Sequence, residues 1–396
     1  MNASPSPICR EVRPEDVPGI LRVRNSIFPP ITEKQWAAEP GQTASVAWLD
    51  GEVVGALPIS LRDFRLGPGV VAPSGWENAV GTRQDVRSRG IGSAMLQSAR
   101  EFLSDRCDLL LVYRGGERTP GYQFYTQKTG HTDLCYMRRY VNTAPEANVL
   151  PHIACYPGEV MIEREAEFTD VFRAVWDGYG GYPDRRAGYY AWALRALIYE
   201  CLPTQFRVLC EEDDGRLQGY ALLGHRQAPT PEHNLRVMEL ATPGADPEMA
   251  RRLLTAAGSL AAREGLGLAT GASVLSPYRE VYLSLGMEES HRWMMIMGLL
   301  LRGPVLFERW ARAGNRASLP PVRVWTPSTE VRLNEGRGPE VALEMKDRTL
   351  LRWLCGRIDL RAAIADERIT HYGASYEPIA DLIPFHRWAY HGVDYV

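Results

Sequence analysis

The sequence is organised around the stretch Arg87-Ser88-Arg89-Gly90-Ile91-Gly92-Ser93. Before it, the β-prone residues 78–82 predict a short strand. After it, small and apolar side chains recur at helical spacing and predict an amphipathic helix. The members of that face are Ile91, Ala94, Met95, Ser98, Ala99, Phe102 and Leu103. A strand therefore leads through a glycine-containing turn into a helix.

This turn has the features of an anion-binding site. The first N–H groups of a helix have no intrahelical partner, and the helix dipole adds partial positive charge there. Gly90 and Gly92 allow a ligand to approach the backbone closely, while Arg87 and Arg89 add two positive charges. The stretch predicts a diphosphate site. The alternative is an ordinary strand-to-helix turn with surface arginines.

Several other classes of protein are disfavoured by the sequence. It has no Gly-x-Gly-x-x-Gly and no Walker-type Lys-Ser/Thr, which argues against dinucleotide binding and NTP hydrolysis. The net charge of -3 gives no support to nucleic-acid binding. The seven cysteines are scattered without Cys-x-x-Cys, so neither a metal site nor a disulfide framework is expected. Because no apolar run approaches the ~20 residues of a membrane span, we expect a cytoplasmic protein without membrane contact.

The element pattern predicts three domains. Residues 1–145 have the order strand, helix, three strands, helix, strand, helix, strand, and residues 158–302 repeat much of it after a linker. In the repeat, Gly244-Ala245-Asp246-Pro247-Glu248 stands where the first copy has its arginines, and two acids would repel a phosphate. We therefore interpret the second copy as structural. Residues 303–396 predict a third, α+β domain with an aromatic carboxy-terminal tail.

Two motifs and one segment resemble known families. Arg-x-x-Gly-x-Gly, from Arg87 to Gly92, is similar to the acyl-coenzyme A signature of the GNAT acetyltransferase superfamily, and Phe124-Tyr125-Thr126-Gln127-Lys128-Thr129-Gly130 supports it. Residues 350–356, followed by 362–364, resemble sterol-carrier-protein modules. Together these parts resemble the enhanced intracellular survival (Eis) family of bacterial N-acetyltransferases. The resemblance implies an α/β (α+β) fold with two GNAT-like mixed-sheet domains and a sterol-carrier-protein-like domain.

The same resemblance implies an activity and partners. Acetyl-CoA would be the acetyl donor, with no metal, and the acceptor would be a primary amine of a small, cationic molecule, aminoglycoside-like or polyamine-like. Direct attack of the amine on the thioester is implied. A homo-oligomer is also implied, a hexamer in the characterised members, with the chain's own carboxy terminus folded back into the active site.

Residues for cofactor binding follow from the signature. The backbone of Val80, Gly81 and Thr82 would pair with the pantetheine amides as an added strand would, and one of its N–H groups would serve as oxyanion donor. The diphosphate would be held by the turn and the start of the helix. Those residues are Arg87, Ser88, Arg89, Gly90, Ile91, Gly92 and Ser93.

The general acid and base are predicted separately. Tyr125 matches the position of the family's general-acid tyrosine, and a phenol near pKa 10 can protonate a thiolate near 8.5; Tyr122 lies close to it in sequence, and plain packing of Tyr125 is the alternative. For the base, the family points to the terminal carboxylate of Val396. Rival bases from the sequence itself are Glu77, His391 and Asp394.

Two other functions remain open at this point. A longer-chain N-acyltransferase can also combine tandem GNAT units with a terminal carboxylate, although it would lack the third domain. A non-catalytic CoA or lipid sensor would bind without turnover, and lipid carriage would need a continuous apolar tunnel.

Overall fold

The computed structural model describes residues 7–28, 30–38, 41–115, 120–148, 152–194, 206–225, 234–314, 319–334, 336 and 338–394. The strands are β1 (Ile8–Glu11), β2 (Gln42–Leu49), β3 (Glu52–Gly67), β4 (Val70–Glu77), β5 (Gly81–Thr82), β6 (Leu109–Gly115), β7 (Thr132–Asn142), β8 (Ile153–Pro157), β9 (Tyr182–Pro183), β10 (Arg207–Asp213), β11 (Arg216–His225), β12 (Asn234–Ala241), β13 (Gly267–Ser273), β14 (Glu288–Leu300), β15 (Val322–Trp325), β16 (Glu330–Leu333), β17 (Val341–Met345) and β18 (Ile369–Gly373).

The helices are α1 (Val17–Asn25), α2 (Glu33–Ala38), α3 (Ile91–Leu103), α4 (Pro120–Lys128), α5 (Val160–Glu163), α6 (Glu165–Trp176), α7 (Tyr189–Ala193), α8 (Pro247–Arg263), α9 (Arg279–Ser284), α10 (Gly303–Ala313), α11 (Asp347–Leu354), α12 (Leu360–Ala365) and α13 (Glu377–Ala380). None of these described helices combines the length and the apolar composition that crossing a membrane requires.

The first compact unit consists of Met1–Leu134 and Met295–His386. Its mixed sheet has the order β1-β2-β3-β4-β6-β14. Neighbours from β1 to β4 are antiparallel, whereas β4 and β6 are parallel. The β2–β3 hairpin turns at Asp50 and Gly51 with positive φ values of 51° and 80°, as a two-residue primed turn requires. In the sequence, the dipeptide Asp50-Gly51 between two β-prone runs predicts a hairpin, and the structure confirms it.

Burial explains why these elements form. The nearly continuous apolar run at residues 108–113 predicts a strand covered on both faces. The structure confirms this, because Leu109, Leu110, Leu111 and Val112 are all buried. The helix α3 buries one face through Ile91, Met95, Leu96, Ala99 and Leu103 and leaves its other face partly exposed. The amphipathic pattern therefore sets how α3 lies against the sheet.

A small second sheet also belongs to the first unit, with the order β16-β15-β17-β18. Its central pair, β15 and β17, is parallel and the outer pairs are antiparallel. The helix α10 is tied to α11 by the Trp310 indole N–H, which donates to the Leu354 carbonyl at 2.7 Å. The sequence predicts strands at 322–325, 331–334 and 341–345, which correspond to β15, β16 and β17, whereas β18 was not predicted.

The second compact unit consists of Cys135–Met294 and Arg387–Val396. Its sheet has the order β7-β13-β12-β11-β10-β8. The series β8, β10, β11 and β12 is antiparallel and β12 and β13 are parallel, with α8 between them in sequence. This is the direction pattern of β1, β2, β3, β4 and β6 in the first unit, where α3 lies between β4 and β6. The topology of the amino-terminal strands is thus repeated, in agreement with the repeat seen in the sequence.

The mixed α/β class is confirmed, and some boundaries differ. The sequence predicts a helix at 192–199, and α7, Tyr189–Ala193, includes the first two of these residues, while residues 195–205 lie outside the described part of the chain. The strand β13 was missed because its sequence, Gly-Leu-Ala-Thr-Gly-Ala-Ser, has little β propensity and forms through its two neighbours. The division into domains 1–145, 158–302 and 303–396 stays a prediction.

Candidate active site

The strand predicted at 78–82 is wrong in its first part. The strand β4 precedes it and ends at Glu77, which pairs with Ile59 of β3, and pairing resumes where Gly81 meets Ala56. Three residues, 78–80, oppose two residues of β3, so the strand contains a one-residue bulge in which Ala79 has a φ of 42°. The sequence did not predict β4, because the strand contains Pro73 and Gly75, and both residue types are depleted in strands.

The bulge releases backbone groups from the sheet. The Asn78 N–H still donates to the Pro58 carbonyl at 2.9 Å. Among the described residues, the N–H groups of Ala79 and Val80 have no hydrogen-bond partner. Two donors therefore remain for an extended ligand beside β4, at the site where the sequence placed the pantetheine backbone and the oxyanion donor.

The turn before α3 has the geometry that the glycines predicted. Gly90 is left-handed at a φ of 78°, and Ser88 also has a positive φ of 64°. The first helical bond runs from the Ala94 N–H to the Gly90 carbonyl at 3.0 Å. The preceding N–H groups, those of residues 91–93, therefore point out of the helix without an intrahelical acceptor. A Cβ on Gly92 would lie 3.2 Å from Cζ of Phe124, so the close packing of α3 on α4 requires a small residue here.

The two arginines of the signature are exposed and only lightly engaged. The Arg87 Nε–H donates to the Thr82 carbonyl at 3.2 Å, and the Arg89 guanidinium donates to the Asp85 carbonyl at 3.4 Å. In contrast, the guanidinium of nearby Arg83 forms ion pairs of 2.7 Å with both Asp85 and Glu52. Arg87 and Arg89 therefore carry the positive charge that a diphosphate could use.

Tyr125, the predicted acid, lies on α4 and is 1% exposed. Its hydroxyl donates to Oε2 of Glu77 at 2.6 Å. Burial, followed by the charge of Glu77 and the hydrogen bond to it, raises the pKa of Tyr125 well above its usual value. The structure thus joins the predicted acid to Glu77, one of the rival bases.

Two residues that the sequence did not single out extend this contact. Nε2 of His131 lies 3.1 Å from Oε1 of Glu77, and Nδ1 of His131 lies 2.7 Å from the Thr129 hydroxyl. Glu77 is 3% and His131 4% exposed. The sequence signal was available, because Thr129 and His131 flank the Gly130 turn of the second motif. Tyr122, on the same helix as Tyr125, instead donates to Asp133 at 3.1 Å.

The remaining candidate bases lie in the carboxy-terminal segment. Val396 is outside the described residues. His391 and Asp394 belong to the second unit and are buried, at 3% and 0% exposure. Burial and then the charge of Arg185 hold the pKa of His391 well below its usual value. Asp394 accepts hydrogen bonds from Arg185 and Tyr189, so its carboxylate is engaged within the second unit.

In the second unit, the amino terminus of the corresponding helix, α8, is capped by a side chain. The side chain of Asp246 caps α8 by accepting from the N–H groups of Glu248 and Met249 at 2.8 and 3.2 Å. The donors that α3 leaves open are therefore occupied in α8 by a carboxylate of the chain itself. This geometry supports the interpretation of the second copy as structural.

The carboxy-terminal segment lines the cleft where β12 and β13 separate. Their last parallel pair is Val237 with Thr270, although both strands continue. Beyond that pair the cleft is lined by both strands and by residues 388–391 of the segment. Gly392 packs directly on Met238 of β12, where a Cβ would approach the backbone to 3.2 Å. The segment is thus part of the second unit's core.

Comparison with known proteins identifies a family that part of the chain matches and several solved structures with a similar fold. Residues 14–130 match the model of the acetyltransferase (GNAT) family. None of the curated proteins matches the sequence. Among solved structures, the chain is similar over 98% of both chains to a conserved protein of unknown function from Enterococcus faecalis V583, designated a probable N-acyltransferase, at 11% identity and a TM-score of 0.68.

Two further solved structures are similar to this chain over nearly its whole length. A GCN5-related N-acetyltransferase from Anabaena variabilis aligns with a TM-score of 0.68 at 13% identity, covering 97% of this chain and 99% of that one. Eis1 from Mycobacterium abscessus aligns with a TM-score of 0.59 at 12% identity, covering 98% of each chain. At these identities the likeness concerns the fold.

The match to the acetyltransferase (GNAT) family covers residues 14–130 of the 396. That segment contains the bulged strand, the open amino terminus of α3 and the helix α4 that carries Tyr125.

Proposed function

We propose that the protein transfers an acetyl group from acetyl-CoA to primary amines of a small, cationic molecule, aminoglycoside-like or polyamine-like, by direct attack on the thioester. The open amino terminus of α3 beside Arg87 and Arg89 carries this proposal. It offers unpaired N–H donors and two guanidinium groups to a diphosphate, immediately after a strand with two unpaired N–H groups.

Cofactor binding would use the backbone first. Val80, Gly81 and Thr82 would align the pantetheine arm, and the released N–H of Val80 is suited to receive the developing oxyanion. The diphosphate would lie against the turn. The residues proposed there are Arg87, Ser88, Arg89, Gly90, Ile91, Gly92 and Ser93.

Proton transfer would use one base and one acid, which lie far apart in the sequence. An alkyl ammonium near pKa 10 costs roughly 4 kcal/mol to deprotonate at neutral pH, so a base is useful. The terminal carboxylate of Val396 is proposed for that first proton, as in the Eis family that the sequence resembles. Tyr125 is proposed to protonate the departing thiolate.

The architecture of the Eis-like enzymes is part of the proposal. Residues 303–396 would form the sterol-carrier-protein-like domain, and the chain would assemble as a homo-oligomer, with a hexamer as the form that the resemblance implies. The coverage of Eis1 over 98% of both chains supports this architecture.

Release of free CoA thiol provides the test. The purified chain is incubated with acetyl-, octanoyl- and myristoyl-CoA against aminoglycosides, polyamines and neutral amines of similar size. We expect thiol release with acetyl-CoA and the cationic amines. Turnover confined to long-chain donors would favour a longer-chain N-acyltransferase. Tight CoA binding without release for any amine would identify a sensor, and either result would reject the proposal.

A further inference from the structure

A continuous hydrogen-bonded chain runs through the buried part of the first unit. It links the Thr129 hydroxyl, His131, Glu77 and the Tyr125 hydroxyl through contacts of 2.7, 3.1 and 2.6 Å. Its members come from α4, from the turn after it and from the end of β4, and the side chains of Glu77 and His131 are fully buried. In such a buried network each hydrogen bond polarises its neighbours, so the positions of its members are closely fixed.

The hydrogen bond from Tyr125 to Glu77 makes it costly for Tyr125 to give up its proton by itself. The hydroxyl donates to the Glu77 carboxylate, so the tyrosinate left after proton transfer would face a negative charge at 2.6 Å. The raised pKa of Tyr125 reflects this cost together with burial. The thiolate of CoA, with a usual thiol pKa near 8.5, is a weaker base than such a tyrosinate. Donation from Tyr125 becomes favourable only when Glu77 carries a proton.

We propose that Glu77 stores a proton for Tyr125, so that the pair carries the amine's proton to the leaving thiolate. The amine nitrogen bonds to the thioester carbon and becomes positively charged. Its proton then moves to Oη of Tyr125 while the Tyr125 proton moves to Oε2 of Glu77. When the C–S bond breaks, the sulfur keeps the electron pair and takes the Tyr125 proton, and Glu77 returns its proton to Tyr125. The products are the amide and CoA thiol, and the pair regains its starting state.

His131 and Thr129 are positioning residues in this scheme. Nε2 of His131 lies 3.1 Å from Oε1 of Glu77, which leaves Oε2 to accept from Tyr125. The ring of His131 also meets the edge of Tyr125, with centroids 4.8 Å apart. The other charged group on Tyr125 within the described residues is Arg114, whose guanidinium carbon lies 5.3 Å from the ring centroid.

Glu77→Gln tests the storage of the proton. The amide oxygen can still accept from Tyr125, but the side chain cannot take a proton. We expect kcat to fall roughly 100-fold, the lower end of general acid–base contributions, with KM for acetyl-CoA changed less than twofold. Because the carboxylate charge is gone, the alkaline limb of the kcat profile should move to lower pH. In H2O/D2O mixtures the wild-type rate should depend on deuterium content with the curvature of several moving protons, and the variant should give a straight line.

Several outcomes would overturn the inference. Unchanged kcat and an unchanged pH profile in Glu77→Gln would reject storage at Glu77. Equal curvature in both proteins would do the same. If Glu77→Gln does not fold, His131→Gln is the replacement variant. It should lower kcat and shift the pH profile relative to the wild type, and an unchanged kcat and pH profile would reject the positioning role.

This inference rests on the proposed function, but the two can fail separately. Loss of activity in Tyr125→Phe with full activity in Glu77→Gln would reject storage and keep Tyr125 as the acid. Absence of thiol release from the wild type with every amine would reject the proposed function itself.

Discussion

The buried guanidinium of Arg185 donates to the carboxylate of Asp394, two residues before the end of the chain. The same guanidinium donates to Glu239 at 2.5 Å, and Tyr190 and Tyr220 donate to Glu239 at 2.8 and 2.7 Å. One cation thus serves two buried carboxylates, and burial raises the pKa of Glu239. The carboxy-terminal segment is held in the second unit by charge as well as by packing.

Loss of this ion pair should loosen the carboxy-terminal segment. In Asp394→Asn we expect carboxypeptidase to release the last residues several times faster than in the wild type. Arg185→Met leaves two carboxylates without their cation and should cost about 3–5 kcal/mol of unfolding free energy. Arg186→Gln is the matched control, because the side chain of Arg186 is 70% exposed. Equal release rates in wild type and Asp394→Asn would contradict the anchoring role.

The signature arginines should control affinity for the cofactor. Arg87→Gln and Arg89→Gln are each expected to raise KM for acetyl-CoA about tenfold, because each removes a charged hydrogen-bond donor from the diphosphate. The loss should shrink in high salt, since exposed charges are screened. Arg83→Gln is the control, as Arg83 is already paired with Asp85 and Glu52. A larger rise in KM for Arg83→Gln than for Arg87→Gln and Arg89→Gln would contradict the placement of the diphosphate at the turn before α3.

The tyrosine helix offers a paired test of the acid. Tyr125→Phe removes the proton donor and should lower kcat about 10²- to 10³-fold, with little change in KM for acetyl-CoA. Tyr122→Phe, on the same helix, should keep most of the activity because its hydroxyl is bonded to Asp133. Steady-state kinetics of thiol release across pH measures both. Comparable losses in the two variants would remove Tyr125 from its special role.

Only the first copy of the repeated topology is expected to bind the cofactor. Asp246 caps α8, and residues 388–391 of the carboxy-terminal segment form part of the wall of the cleft between β12 and β13. Titration calorimetry should therefore give a single acetyl-CoA site per chain. Asp246→Ala should leave that stoichiometry unchanged, since the segment still narrows the cleft. A second site in either protein would show that this copy is competent.

Acid should destabilise the first unit through His386. Burial, and then the charge of Arg357, lowers the pKa of His386 from 6.5 to about 4. The unfolded chain takes up the proton first, so stability from the neutral ring is present above pH 6.5 and is lost as the pH falls toward 4. His386→Phe, which can still stack on Trp310, should show a weaker decline in melting temperature over this window. The exposed His152, changed to Gln, should behave as the wild type does.

Local features were predictable because their causes are local. The Asp50-Gly51 turn, the strand at residues 109–112 and the start of α3 depend on residues within a few positions of one another, and the structure confirms them. The strand β4 was missed because Pro73 and Gly75 carry loop signals that only pairing with β3 and β6 overrides.

The contacts of Glu77 with Tyr125 and His131 could not be predicted from the sequence. Glu77 and Tyr125 are 48 residues apart, and Glu77 and His131 are 54 apart. Each alone is an ordinary acid, phenol or imidazole. Glu77 appeared as one of several rival bases, and His131 did not appear at all, because hydrogen bonding and burial arise only when β4 and α4 meet.

The sequence by itself indicated the acetyltransferase-like segment, the arginine- and glycine-containing turn before α3 and the repeat, since these depend on residue types at short spacing. Tertiary structure alone decided that the predicted acid faces Glu77, that a bulge frees two N–H groups beside β4, and that Arg185 holds the chain's end. The physical reason is that pKa values and unpaired donors are set by neighbours in space, whereas turns and helix faces are set by neighbours along the chain.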